Sequence, residues 1–267
     1  MVENEAMTNT PVKQEVPAVK ISLRLPLWIY TVGALLIVWE LYGRLAEGAL
    51  SLPPFSEVLV SIWTLLMDGR LLSSLWTSLQ GLVIGFALAV IVGVSLGLLM
   101  GFKPLVDRAM VIYLDILTAV PMVAIIPLVV VFFGLGLASR IVIIFLFAVV
   151  IIVENTRTGV KDADPQLIEM AHSFGANPKQ QIRKILLPSA VPFMIAGIRL
   201  GLGRAIVGMV TAEMLFSSVG IGYLLMNATG TFKVNEVFAI VLALLILSAV
   251  LIMGVQLLEK QLLKYRK

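Results

Sequence analysis

The sequence predicts an all-α, polytopic membrane protein, and three observations carry that reading. Of 267 residues, 60% are hydrophobic and 13% are charged, against about 25% charged in an ordinary soluble domain. The apolar residues gather in runs near the roughly 20 residues that a membrane-crossing helix needs. Lysine and arginine are shared very unequally between the segments that join those runs.

Six runs qualify, at about 27–46, 75–101, 109–133, 139–154, 190–216 and 235–258. The third is interrupted by Pro121 and Pro127, and the fourth is short. With the N-terminus placed in the cytoplasm, 14 Lys or Arg fall inside and only Arg44, Arg70, Arg140 and Lys233 outside. That asymmetry predicts both termini in the cytoplasm. The chain divides accordingly into a cytoplasmic tail (1–26), a first crossing with an external interfacial segment (27–74), a core (75–260) and a basic cytoplasmic end (261–267). The tail is polar and does not read as a cleavable signal. Outside, Ser51-Leu52-Pro53-Pro54 forms a turn, and residues 55–67 read as a helix lying at the interface.

Composition also excludes functions. There are no cysteines and one histidine, His172, so disulfides, thiolate sites and paired-histidine metal sites are ruled out. No phosphate-binding loop or zinc-protease motif occurs. Neither a metal nor a cofactor is expected, and the chain is not expected to be an enzyme. The net charge of +4 comes without aromatics interleaved among basic clusters, which argues against nucleic acid as a partner.

The inside segment 155–189 is the most informative. Asp164-Pro165 and Asn177-Pro178 repeat one helix-start signal: a capping side chain followed by a proline at the first helical position. Gln180 adds a capping-box pattern. Gly175 ends the first helix and Pro188 bounds the second, predicting two short helices at about 165–174 and 178–187. Leu167, Ile168, Ala171 and Phe174 make an apolar stripe on the first. That stripe either packs on the cytoplasmic ends of the chain's own crossings or fits a groove on a separate soluble partner.

Glu169-Met170-Ala171, then Gly175, then Ile185, Leu187 and Pro188 have every spacing of the EAA signature of ABC-importer permeases. Met170 in place of the first alanine is the one departure. The chain resembles that family over roughly 70–260. The resemblance is greatest to the nitrate, sulfonate, taurine and bicarbonate group, through Ala119-Val120-Pro121, Phe133-Gly134-Leu135-Gly136, Ala212-Glu213-Met214-Leu215 and Gly220-Ile221-Gly222-Tyr223. The resemblance implies a homodimer in the bacterial inner membrane, two ATP-binding subunits docked at the EAA loops, and an extracytoplasmic solute-binding protein. The absent phosphate loop then has a meaning: ATP would act on another polypeptide, and the path would carry a small anionic solute by alternating access. An ATP-independent carrier and a channel-forming oligomer are the rival readings. Neither accounts for the doubly capped loop.

Two intramembrane features complete the reading. Small residues recur at every fourth position of the second run, at Gly81, Gly85, Ala89, Gly93, Gly97 and Gly101, and again at Gly197 and Gly201. Such ladders allow close helix approach, either within the chain or between copies. Charges inside spans are expensive and are functional candidates by default: Glu40, Asp115, Arg199, Arg204 and Glu213. Counted at 1.5 Å per residue, Asp115 and Arg199 lie roughly 9 and 13 Å deep, and Glu40 and Arg204 both roughly 20 Å. At these depths Asp115 could meet Arg199, and Glu40 could meet Arg204. Glu213 points away from Arg204 on the same helix. The charges are either structural ion pairs or an arginine-lined anion route.

Overall fold

The computed structural model describes residues 27–45 and 52–263, and those residues are helical or in short connections. The tail 1–26 and the last four residues of the basic end lie outside the described residues. The helices are α1 (Leu27–Leu45), α2 (Phe55–Met67), α3 (Arg70–Phe102), α4 (Pro104–Ala119), α5 (Met122–Phe133), α6 (Leu137–Lys161), α7 (Pro165–Ser173), α8 (Pro178–Gln181), α9 (Leu187–Phe216), α10 (Ile221–Gly230) and α11 (Val234–Leu263).

Four helical segments among the described residues are long and apolar enough to cross a membrane: α3, α6, the segment Pro178–Phe216, and α11. The α4–α5 pair makes a fifth if taken as one broken crossing, bent by 102°. The break falls at Pro121, which has no N–H to offer and turns the chain out of helical geometry. α1, expected as a sixth crossing, carries Glu40 and Arg44 near its end and does not reach that standard.

The core is a three-helix stack, with α6 between α3 and α9. Glycine makes the stack close. A methyl placed on Gly85, Gly93 or Gly97 of α3 would come within 2.9 Å of Ile144, Ile152 or Thr156 of α6, and one on Gly101 would crowd Val160. Gly81 has ordinary contact distance to Ile144 at 3.6 Å. On the opposite side, Gly201 and Gly208 of α9 stand equally near Ile152 and Phe147. The fully buried Ile152 therefore fills the space left by two glycines, Gly93 and Gly201, on two different helices. The glycine ladder thus serves contact inside the chain.

Two boundaries differ from expectation. The fourth run, expected to stop at 154, continues as helix to Lys161. Its late charges are on faces that find partners: Glu154 accepts from Thr118 at 3.0 Å, and Arg157 and Lys161 both bind Asp107 of α4. The second loop helix does not end at Pro188. From Pro178 the chain stays helical through a π-type turn at Ile182–Leu186 and enters α9 directly. Leu187 N–H donates to Ile182 O, five residues back. The widened turn accommodates Pro188, which has no N–H to donate.

Candidate functional site: an exposed hairpin and the embedded charges

The loop between α6 and α9 is built by backbone chemistry. Asp164 accepts a hydrogen bond from Gln166 N–H at 2.8 Å and so caps α7. At the other end, Ala176 N–H donates to Ala171 O and Gly175 N–H to His172 O, both at 2.9 Å. This pair of bonds is the Schellman arrangement, and it needs the left-handed residue that Gly175 supplies at φ 74°. One step on, Asn177 Oδ1 accepts from Gln180 N–H and Gln180 Oε1 accepts from Asn177 N–H, each at 2.9 Å. Two caps and one glycine therefore fix a bent hairpin.

No residue of α7 or α8 is buried. Phe174 is 85% exposed, Met170 52% and Leu167 42%, while Ile168 and Ala171 are half-buried. Two of the four stripe residues, Leu167 and Phe174, thus project from the chain, with Met170 exposed beside them. Two open clefts flank the hairpin. One of about 440 Å³ is lined by Ile168, Glu169 and His172 among others, and one of about 450 Å³ by Ala171, Phe174, Gly175 and Ile185. Leu187 and Pro188 begin α9 at the hairpin's base. All seven signature residues therefore lie on the hairpin or its root.

The embedded charges are partnered differently from the depth argument. Glu40 does not meet Arg204. It accepts from Arg44 Nε at 2.6 Å and from Ser56 N–H and Oγ at 2.9 Å, so it caps the start of α2. α2 lies back against α1: Trp39 Nε1 donates to Pro53 O at 2.9 Å, and the Trp39 ring packs on Phe55 with centroids 5.3 Å apart. Arg199 does not meet Asp115; it donates to Glu259 of α11 at 3.1 Å. Asp115 is exposed on α4, within electrostatic reach of Arg157. Arg204 is exposed on α9 and has no hydrogen-bond or ion-pair partner among the described residues.

Glu213 is 1% exposed and gathers four helices. Its carboxylate accepts from Ser78 Oγ of α3 at 2.8 Å, from Arg140 of α6 at 3.3 Å, and from Gly222 N–H of α10 at 3.1 Å. Ser78 Oγ also accepts from Ile221 N–H at 2.9 Å. Gly220, at φ 98°, brings the backbone against the carboxylate, where a side chain would collide. The start of α10 is thereby pinned to an anion. Sequence reasoning missed Arg140, having placed it in an external loop. A buried glutamate demanded a cation at its own end of the bundle, and Arg140, four residues into α6, was available.

The long apolar helices define a multi-pass membrane protein with a partly exposed apolar hairpin held out from its helical stack. Residues 89–264 match the family described as binding-protein-dependent transport system inner membrane component, and the chain belongs to that family. It is 34% identical over 88% of its length, and 85% of the relative, to a putative aliphatic sulfonates transport permease, SsuC, of Bacillus subtilis. It is 30% identical over 91% of its length, and 90% of the relative, to the taurine transport system permease TauC of Escherichia coli. Its fold is similar to a chain of the methionine ABC transporter MetNI in an inward-facing crystal form, with a TM-score of 0.58 and 20% identity over 72% of this chain and 94% of that one. The chain is a multi-pass ABC-importer permease: a transport subunit that works with separate ATP-hydrolysing subunits and a binding protein.

Proposed function

We propose that two copies of this chain form the path for a small organosulfonate such as taurine, with the α7–α8 hairpin of each copy seated in a groove on one ATP-binding subunit. The observation that carries the docking role is the exposure of three apolar side chains, Leu167 and Phe174 of the stripe and Met170 beside it, on a hairpin that is otherwise fixed by its caps. Exposed apolar side chains on a preorganised helix suit the helix-in-groove mode of recognition. Glu169, Met170, Ala171 and Gly175 would form the knob. Ile185, Leu187 and Pro188 would carry its motion into α9, because α8, the π-type turn and α9 are one continuous helix. Residues 75–260 would be the permease core, with α1 and α2 as an accessory segment ahead of it. The hairpin and both termini would lie in the cytoplasm, as the lysine and arginine asymmetry supports.

The sulfonate assignment is supported by what the relatives' names say they carry. Reconstitution tests it: the permease, its ATP-binding subunits and its binding protein in proteoliposomes should accumulate taurine or ethanesulfonate only with ATP inside. Equal uptake by the permease alone, without ATP, would favour the carrier or channel reading.

A further inference from the structure

Arg204 is the embedded cation that the fold leaves unanswered. Each of the other cations at membrane depth has an acidic partner: Arg140 with Glu213 and Arg199 with Glu259. Arg204 has none among the described residues. It lies 12 residues from the nearer end of α9, about 18 Å along the axis, which is too far for the guanidinium to reach an interface by extending its stem. An unpaired arginine at that depth is strongly disfavoured against lipid. Its face of the helix therefore needs water or a counter-anion. That face carries Leu200, Arg204, Val207, Thr211 and Leu215 at helical spacing, all exposed or half-buried. Gly197, Gly201 and Gly208, at i−7, i−3 and i+4 from Arg204, lie on the adjoining face, which is packed on α6, so Arg204 stands at the edge of that packed face.

We propose that the Arg204 face of α9 lines the aqueous path, and that the guanidinium binds the oxyanion headgroup of the solute. A planar fork of donors suits a tetrahedral or planar oxyanion by paired hydrogen bonds. The flanking Leu200 and Val207 leave the carbon chain of the solute an apolar wall. The inference rests on the permease reading above and adds the residue that recognises charge.

The chain has no cysteine, which allows a test that does not depend on knowing the solute. Val207, one turn from Arg204, is replaced by cysteine in the intact transporter in membranes. The variant is treated with an anionic sulfonatoethyl and a cationic trimethylammonioethyl methanethiosulfonate, and labelling is read on this chain's band. Both reagents should react, and the anionic-to-cationic rate ratio should fall about tenfold when R204Q is added to V207C; R204K should retain most of the preference. No labelling at V207C would overturn the proposal, because the face would be dry, as it would be if a carboxylate of a second copy answered Arg204. A ratio unchanged by R204Q would overturn it too. Failure of the reconstituted wild type to move taurine or ethanesulfonate would instead count against the sulfonate assignment and leave the reagent ratio to decide this one.

Discussion

Glu213 and Arg140 form a buried ion pair, and such a pair is worth most when one half is removed. Arg140→Gln would leave a carboxylate at 1% exposure with only neutral donors, Ser78 Oγ and Gly222 N–H, around it. The expected loss is about 3–5 kcal/mol, read as a lower thermal midpoint of the purified protein in nanodiscs. Arg140→Met with Glu213→Gln should recover much of it, since the amide oxygen can still accept from Gly222. An unchanged midpoint for Arg140→Gln would show that the pair does not hold α10. At this scale the sequence announced which charges mattered, because charge inside an apolar run is conspicuous. It did not announce their partners. Depth along an axis says nothing of which helix is adjacent, and Glu40 ended as the cap of α2 because α2 lies back against α1.

Among elements, the α3–α6 contact depends on the absence of side chains. Gly97→Ala would place a methyl 2.6 Å from Thr156 Cβ and 2.8 Å from Val153 O. Backbone cannot yield there without moving α3 outward, so a destabilisation of about 1–3 kcal/mol is expected. Gly81→Ala, with its nearest neighbour at 3.6 Å, should be nearly neutral. Comparing the two midpoints checks the ladder position by position. The hairpin supplies a second prediction. Gly175→Ala forces a side chain into φ 74° at a cost of about 1 kcal/mol or more, and Asn177→Ala removes a cap worth about 1 kcal/mol. Both should loosen the hairpin and lower ATP-driven uptake while total membrane insertion is unchanged. The hairpin was legible because caps, prolines and the turn glycine are local signals. The merging of α8 into α9 was not, because proline usually bounds a helix, and only a widened turn lets this one continue.

For the molecule as a whole, the run-by-run reading recovered the helical class, α2 residue for residue, and the hairpin between the fourth and fifth runs. It marked the break at Pro121 that bends α4–α5, it counted as a crossing the first run, whose helix α1 is not among the helices long and apolar enough to span in the described residues, and it gave no sign of α10, whose ten residues are too few to stand out as an apolar run. What those helices build is a stack around α6 whose outer member, α9, is continuous with the hairpin. On the proposed docking, a push on the hairpin would rotate or shift α9 against its glycine contacts. The most direct test replaces Phe174 with a benzophenone amino acid in the intact transporter and irradiates it in membranes. The account predicts a covalent adduct with the ATP-binding subunit from Phe174, and none from the same probe at Val250, which is exposed on the apolar face of α11. An adduct confined to this chain or to lipid would contradict it.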